Sequence, residues 1–270
     1  MPLLPPLNPP ITDWTGLRVW IIGASSGIGA ETARLLAGRG ARVALSARRA
    51  EALETLRAGF APAARDAALV LPLDIAHPDA VAGAARTLLA HWEGLDLVLV
   101  AAGIYDALRA PAFDAAALPA VATALHVNLM GPYHVLAALL PALTRQGRGG
   151  IAIISSVAGY NGLPRALAYA PSKAALNNLC EGLYFELRPL GLAVYRICPG
   201  FVATAMTAVN DFHMPALLSA QEAAQEIVRG LERGDFHIHF PKRFTRFLEV
   251  LRWLPRRMYF FLLRQGARQL

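Results

Sequence analysis

The stretch VWIIGASSGIGAETARLL, residues 19–36, decides the fold. An apolar run ends in a glycine-rich turn, which leads directly into a helical pattern of apolar residues. Gly23, Gly27 and Gly29 stand at G-x-x-x-G-x-G spacing, and Ser25 and Ser26 add hydroxyl donors. Glycines allow a tight turn and let a pyrophosphate approach the backbone N–H groups at the start of the helix. Such turns also end ordinary strands, but a strand before and a helix after favour a dinucleotide site.

Outward from this stretch, apolar runs alternate with helical patterns, which is typical of a parallel sheet built from βαβ units. Strands are predicted over 17–22, 42–46, 69–73, 96–101, 150–154, 192–197 and 236–240. Helices are predicted near 27–38, 50–58, 78–91, 168–188 and 219–233, with a long pair over 113–144. Because no Pro/Gly linker divides the chain before residue 241, we predict one α/β domain with a doubly wound parallel sheet of about seven strands.

Composition narrows the class of protein. The apolar fraction of 55% is ample for a large core. The longest strongly apolar runs have six or seven residues, short of the ~20 needed to span a bilayer. Residues 1–14 hold five prolines and no base before their apolar part, so they make a poor secretory signal and we expect a loose arm that lies on the domain. With only Cys180 and Cys198, a reducing, cytoplasmic setting is expected.

The end of the second predicted strand indicates the cofactor. An NAD enzyme places Asp or Glu there to accept from the ribose 2′-OH. This chain has Ala47, Arg48 and Arg49, and a guanidinium can bind a 2′-phosphate that a carboxylate would repel. We therefore predict NADP(H) rather than NAD(H), mostly through Arg48; the alternative is two solvated arginines at a helix start. Asp74, after the third strand, either meets the adenine or belongs to the helix N-cap region before Pro78.

Four polar residues later in the sequence indicate a catalytic site. Ser156 follows the fifth predicted strand, and Tyr169 and Lys173 stand one helical turn apart. Asn128 lies inside a helical run, where asparagine is a poor helix former and needs a reason to be present. These groups sit at strand ends and helix turns of one predicted sheet edge, where a nicotinamide would lie.

At this point the sequence resembles the short-chain dehydrogenase/reductase family, from about residue 15 to 207. The matching pieces are G-A-S-S-G-I-G at 23–29, L-D-I at 73–75, A-A-G at 101–103, N at 128, S-S-V-A-G at 155–159, Y-A-P-S-K at 169–173 and P-G-F-V-A-T at 199–204. They occur in family order and spacing. The resemblance implies a Rossmann-fold NAD(P)-binding catalytic domain over 15–240, after an arm over 1–14 and before a basic helical extension over 241–270.

The resemblance also implies roles for individual residues. Tyr169 is the proton donor in carbonyl reduction or the base in alcohol oxidation. Lys173 holds the nicotinamide ribose and lowers the tyrosine pKa, which is about 10 in isolation. Ser156 hydrogen-bonds the substrate oxygen, and Asn128 holds a water that links Lys173 to solvent. The implied cofactor-binding residues are Gly23, Ser25, Ser26, Gly27, Ile28, Gly29, Arg48, Arg49, Asp74, Ile75, Ala102, Gly103, Tyr169, Lys173, Pro199, Gly200, Val202 and Thr204.

Three features fall outside this pattern. The family usually has asparagine before A-G after the fourth strand; here Ala101 stands in its place, which weakens a structural tether but removes no proton-transfer group. His237 and His239 share a strand face, but without a third ligand we predict strand packing and no metal site. His213 and Met214 are candidates for lining the substrate pocket.

The net charge of +7 resides at the C-terminus, since residues 241–270 hold eight bases and one acid. Phe244, Phe247, Leu248 and Leu251 recur at i, i+3, i+4, i+7, and Pro255 starts a second helix. This pattern predicts either an interfacial helix on anionic lipid at the inner membrane surface, or a hairpin that covers the substrate pocket or a dimer partner. The apolar content is too regular for a nucleic-acid-binding arm.

Together these features predict an NADP(H)-dependent oxidoreductase that interconverts a carbonyl and an alcohol by hydride transfer. The apolar C-terminal tail and the apolar segment after Thr204, where the family places its substrate lid, indicate a steroid-, retinoid- or fatty-chain-like substrate. The alternative is a dinucleotide-binding regulatory or scaffold protein of the same fold, which tends to lose the tyrosine or lysine that this chain keeps. By analogy with the family, a homodimer or homotetramer is expected.

Overall fold

The structure, a computed structural model, describes residues 5–208 and 214–267, with side chains as far as residue 262. One seven-stranded, all-parallel sheet forms its centre, in the order β3-β2-β1-β4-β5-β6-β9. Its strands are β1 Arg18–Ile22, β2 Arg42–Ser46, β3 Leu69–Val70, β4 Leu97–Val100, β5 Gly149–Ile154, β6 Leu192–Pro199 and β9 His237–Phe240. A second, two-stranded sheet pairs β7 Val202–Ala203 with β8 Leu218–Ser219.

Helices cover both faces of the main sheet. They are α1 Gly27–Gly38, α2 Ala50–Ala58, α3 Pro62–Ala67, α4 Pro78–Trp92, α5 Leu118–Leu125, α6 Gly131–Gln146, α7 Tyr169–Leu187, α8 Ala220–Arg233, α9 Lys242–Trp253 and α10 Arg256–Ala267. A π-helical turn, His126–Met130, joins α5 to α6. Along β1, Ile21 packs into the core under α1, α2 and α8, whereas Ile22 packs into the core under α4, α6 and α7. Alternate residues thus enter opposite cores, which explains strands that are apolar at every position.

The predicted doubly wound α/β fold is therefore confirmed, with local differences. β3 has two residues rather than the predicted run over 69–73, although Leu71 and Leu73 still donate to the backbone of β2 and its end. The short helix α3 was not predicted, because its sequence PAARDA has no apolar stripe to reveal it. The predicted helix from 113 begins as a 3₁₀ turn, Ala115–Ala117, before α5, and another 3₁₀ turn, Ala110–Ala112, precedes it.

One helical segment, Ala115–Gln146, is long and apolar enough to cross a membrane by length and composition alone. The sequence expectation counted only runs of strong hydrophobes and missed it, because the segment is rich in alanine as well as leucine. A core helix of a soluble protein passes the same test. In this structure Val135 and Leu139 of the segment pack against the central sheet, so its composition is weak evidence for a membrane span.

The N-terminal arm is anchored, which corrects the expectation of a loose segment. The Asn8 side chain donates to the carbonyl of Val194 at 2.8 Å and accepts from its N–H at 3.1 Å. β9 begins opposite Arg196, so the Asn8 amide completes the β6 ladder where β9 has not yet started. The buried Trp14 indole donates to Glu232 on α8 at 3.0 Å. Residues 8–14 are thus part of the domain's hydrogen-bonded structure.

Candidate active site

A cleft of about 340 Å³ lies at the carboxyl edge of the sheet. It is lined by every cofactor-binding residue that the sequence predicted and by Ser156, with Asn128 directly behind it. In an open α/β sheet, ligands bind outside the carboxyl ends of the strands, where the strand order reverses. Here the order reverses between β1 and β4, and the cleft lies at that point.

The glycine-rich turn shapes one wall of the cleft. Gly23 has φ +97°, and a Cβ there would lie 2.5 Å from the backbone nitrogen of Ala102. A Cβ on Gly29 would lie 2.3 Å from the carbonyl oxygen of Gly23, so neither position admits a side chain. Helix α1 begins at Gly27 without a side-chain cap or an acidic residue in its first turn. Its uncapped N–H groups, approachable because the glycines lack side chains, fit a pyrophosphate.

Two exposed arginines stand at the rim of the cleft beyond β2. Arg48 and Arg49 both line it, and Arg49 donates to the Ser25 hydroxyl at 3.4 Å. On the other side, Asp74 lines the cleft and accepts from the backbone N–H of Ala76 at 3.0 Å. The N-cap of α4 is His77, so Asp74 closes a turn and does not cap that helix.

Tyr169 and Lys173 project from the first turns of α7. Lys173 is 3% exposed, and its Nζ donates to the Ile154 carbonyl at 2.9 Å and lies 5.5 Å from the Tyr169 ring centroid. An ammonium has three donors, and among the described residues only Ile154 accepts from this one. The remaining donors fit the hydroxyls of a bound ribose. Ser155 donates to the Lys173 carbonyl at 2.9 Å and ties β5 to α7.

Ser156 and Tyr105 flank the tyrosine. Ser156 is the N-cap of a 3₁₀ turn, where its hydroxyl accepts from the Ala158 N–H at 3.1 Å, and it also hydrogen-bonds the Tyr169 side chain. The Tyr105 ring meets the Tyr169 ring edge to face, with centroids 5.2 Å apart. The hydroxyls of Ser156 and Tyr169 therefore lie together in the cleft, where both can hydrogen-bond a single oxygen.

Burial shifts the pKa values of both Tyr169 and Lys173. Burial raises the pKa of Tyr169 to about 12, and the hydrogen bond with Ser156 offsets only part of that rise. Burial also lowers the pKa of Lys173 to about 8. Both shifts arise because desolvation disfavours the charged form of each group. The lowering of the tyrosine pKa by Lys173 stays a prediction.

Asn128 lies in the π-helical turn and is 1% exposed. Its Oδ1 accepts from the Ile104 N–H at 2.8 Å, while Nδ2 donates to the Ile104 carbonyl at 2.9 Å and to Ser172 Oγ at 3.3 Å. Both amide hydrogens are therefore used within the protein. The side chain therefore tethers the loop after β4, which explains a mid-helix asparagine, and the water that Asn128 is expected to hold stays a prediction.

The sequence interpretation missed some residues of the cleft and misplaced others. Thr207 lines it, and its hydroxyl donates to the Val202 carbonyl at 2.6 Å and fixes the loop that carries Thr204. A threonine three residues after Thr204 was the available signal, since hydroxyls bond nearby backbone in turns. Met214 is not among the described residues that line the cleft, and His213 lies outside the described residues.

His237 and His239 have the third neighbour that the sequence did not reveal. Glu249 of α9 joins them, with one potential ligand atom from each of the three lying within 4.8 Å of the others. His237 also contacts Glu249 at 3.2 Å and Tyr160 at 2.8 Å, and His239 contacts Thr245 at 2.6 Å. The absence of a third ligand was thus a wrong reason for the packing prediction. These contacts join β9 to α9, and burial lowers the pKa of His237 to about 3.

This topology, with a glycine-shaped helix N-terminus and a Tyr–Lys pair in one cleft, defines a nucleotide-binding oxidoreductase of the Rossmann class. A model of the short chain dehydrogenase family matches residues 18–213. The chain therefore belongs to the short-chain dehydrogenase/reductase family.

Relatives support this assignment. An uncharacterized oxidoreductase of Myxococcus xanthus is 36% identical over 86% of this chain and 91% of its own length. Dehydrogenase/reductase SDR family member 7B of Bos taurus is 32% identical over 96% of this chain and 86% of its own. A short chain dehydrogenase from Burkholderia cenocepacia, solved in complex with NADP, superposes with a TM-score of 0.79 at 25% identity, covering 93% of this chain and 99% of its own.

Proposed function

We propose that this protein is an NADP(H)-dependent oxidoreductase that interconverts a carbonyl and an alcohol on a hydrophobic substrate. The convergence of the Ser156 and Tyr169 hydroxyls beside the buried Lys173 ammonium carries the proposal. Both hydroxyls lie in the same cleft as a dinucleotide-type helix N-terminus, which supports the roles of proton donor for Tyr169 and of oxygen-binding group for Ser156.

In this proposal the bound dinucleotide supplies or accepts the hydride. The residues of the chain do the rest. The Ser156 and Tyr169 hydroxyls hold the substrate oxygen, and in reduction Tyr169 gives its proton to that oxygen as the C–O double bond becomes single. With a pKa of about 12, the Tyr169 phenol is protonated at neutral pH and so carries the proton that reduction consumes. The two remaining N–H groups of Lys173 orient the ribose.

Arg48 and Arg49 support NADP(H) over NAD(H). Both are exposed at the rim, next to the end of β2, where a carboxylate would select NAD. A guanidinium recognises a 2′-phosphate through charge-assisted hydrogen bonds. The Burkholderia cenocepacia dehydrogenase is a relative that binds NADP.

We also propose a homodimer or homotetramer in the cytoplasm. Exposed Met130 and Tyr133, beside and on α6, and exposed Phe185 on α7 support a subunit contact through these helices. An exposed phenylalanine on a helix face is a frequent mark of such contacts.

The proposed chemistry is tested by an NADPH-oxidation screen over ketosteroids, long-chain ketones, aldehydes and quinones, with wild type and Tyr169→Phe. On any accepted substrate we expect Tyr169→Phe to lower kcat by roughly 10²–10⁴-fold while NADPH binding persists. Unchanged turnover by Tyr169→Phe contradicts the mechanism. NADPH binding by the wild type without turnover of any substrate class would favour the regulatory alternative.

Cofactor choice is tested separately by titrating NADPH and NADH into wild type, Arg48→Ala and Arg49→Ala. Loss of a charge-assisted bond to phosphate should weaken NADPH binding to Arg48→Ala by roughly tenfold to a hundredfold and leave NADH binding unchanged. Arg49→Ala removes the neighbouring guanidinium, which already contacts Ser25, and should weaken NADPH binding less than Arg48→Ala does. An equal loss for both nucleotides would contradict the proposed 2′-phosphate contact.

A further inference from the structure

Helix α9 has two apolar faces, which the sequence pattern did not separate. Phe244 and Leu248 pack on a small core formed by Val157, Tyr160 and Cys198. Leu251 is buried and lies near Tyr160 and Leu163, beside the loop that follows Ser156. This inner face fixes the helix to the domain.

The outer face of α9 is exposed. Arg243, Arg246, Phe247, Val250 and Trp253 recur at three- and four-residue spacing, so they lie along one side of the helix. Trp253 is 86% exposed, more than any other large hydrophobic side chain in the described part of the protein. The predicted apolar stripe is thus divided, because Phe247 is exposed whereas Phe244 and Leu248 pack inward.

Helix α10 continues this surface. Tyr259 points inward, is buried, and donates to the Gly162 carbonyl at 2.8 Å, while Arg256 donates to Asn161 at 3.0 Å. Met258, Phe260, Phe261 and Leu262 are exposed. We call the exposed side chains of α9 and α10 the tail surface; its apolar members are Phe247, Val250, Trp253, Met258, Phe260, Phe261 and Leu262.

The tail surface is strongly positive. Its exposed bases are Lys242, Arg243, Arg246, Arg252, Arg256 and Arg257. Within the described residues the structure gives none of them an ion pair with a carboxylate, and the only acid of the two helices, Glu249, contacts His237. Apolar side chains and bases without an ion pair therefore lie together on the exposed sides of α9 and α10.

We propose that the tail surface binds the surface of an anionic lipid bilayer. Such a bilayer offers acidic groups for the arginines and an apolar layer for the aromatic and aliphatic side chains at once. A second copy of the same surface would bring like charges together in a symmetric contact. A nucleic acid would satisfy the bases but leave the apolar side chains without a partner.

The protein contains its own spectroscopic probe for this proposal. Of its four tryptophans, Trp14, Trp20 and Trp92 are buried and only Trp253 is exposed. The full-length protein is titrated with vesicles of phosphatidylcholine alone, or of phosphatidylcholine with phosphatidylglycerol. We expect a blue shift of the tryptophan emission and protection from acrylamide with the anionic vesicles only, both reversed by high salt. Trp253→Phe should still co-sediment with the vesicles but lose the shift.

Variants of exposed residues complete the test. Arg243→Gln/Arg246→Gln and Phe247→Ser/Val250→Ser should each weaken co-sedimentation by about tenfold or more, because each removes one of the two components of binding. Leu190→Ser is the matched control. Leu190 is exposed just beyond the C-terminal end of α7, and about 28 Å of helix separates it from Tyr169. The substitution therefore changes neither the active site nor the tail surface.

Three results would overturn the proposal. The first is an absence of co-sedimentation with anionic vesicles, and the second is equal binding to neutral vesicles. The third is a concentration-dependent increase in mass that Phe247→Ser/Val250→Ser abolishes, without vesicle binding, which would make the tail surface a contact between copies. None of these readouts depends on turnover, so the proposed enzymatic function can fail or hold independently.

Discussion

The side chain of Asn128 and the backbone of Ile104 bond to each other twice, with Oδ1 accepting at 2.8 Å and Nδ2 donating at 2.9 Å. The pair ties the loop after β4 to the π-helical turn between α5 and α6. Residue 101, where the family usually has a tethering asparagine, is alanine. In this chain Asn128 therefore holds the wall of the cleft beside Gly103, whose position for a Cβ lies 3.3 Å from Asn128 Oδ1 and 3.6 Å from Lys173 Nζ.

Replacing Asn128 with leucine should destabilise the protein by about 1–3 kcal/mol, because the part-buried N–H and carbonyl of Ile104 lose their partners. Urea unfolding followed by circular dichroism measures this. Asn178→Ala, at an exposed position on α7, is the control and should change stability by less than about 0.5 kcal/mol. A stable Asn128→Leu protein that lost only turnover would assign Asn128 to proton transfer instead of tethering.

Gly29→Ala should destabilise the cofactor-free protein by about 2 kcal/mol or more and abolish dinucleotide binding, since the new methyl would meet the Gly23 carbonyl oxygen at 2.3 Å. Gly38→Ala is a control in the same helix, with no atom within 4 Å of the new methyl. It should be neutral or stabilise by up to about 1 kcal/mol, because alanine is the better helix former. Thermal melts with and without NADPH compare the two. Equal effects would show that the close approach at Gly29 is not limiting.

Lys173 should make stability rise with pH above about 8. Burial lowers its pKa from 10.5 to about 8, so between these values the unfolded chain binds a proton that the folded protein has lost. The rise should be about 1 kcal/mol per pH unit between pH 8 and 9. It is measured as the difference in urea stability between wild type and Lys173→Met. Both proteins contain Cys180 and Cys198, whose burial-raised pKa values act in the opposite direction above pH 9 and cancel in the difference. A pH-independent difference would contradict the shift.

Asn8→Ala should cost about 2–3 kcal/mol, because it removes two buried hydrogen bonds to Val194 and leaves that backbone without partners on one side. Leu7→Ala is the control in the same arm. Leu7 is exposed, and its carbonyl, which accepts from Tyr184, remains after the substitution. Chemical unfolding of both variants gives the comparison. Equal stability of the two would mean that the arm is not anchored through Asn8.

The fold and the residues that line the cleft could be predicted because both follow from local sequence patterns. The apolar strands of β4 and β5, and the glycine turn before α1, each carry their structural meaning within a few residues. The roles of Tyr169, Lys173, Ser156 and Arg48 remain predictions for the experiments above.

What could not be predicted depends on packing between distant residues. The Asn8 contact crosses 186 positions and exists because β9 first pairs with β6 at Arg196, two residues after Val194. The pKa of Tyr169 follows from burial that its neighbours in the chain do not reveal. Likewise, Phe244 and Phe247 both fit a helical stripe, and only the core around Tyr160 selects which one faces inward.

The two edges of the main sheet are short. β3 has two residues, and β9 has four and is followed directly by Pro241. At β6, the exposed part of the ladder is closed by the side chain of Asn8 rather than by another strand. The sheet therefore presents little unpaired backbone on which a foreign strand could assemble, and such short edges disfavour edge-to-edge aggregation.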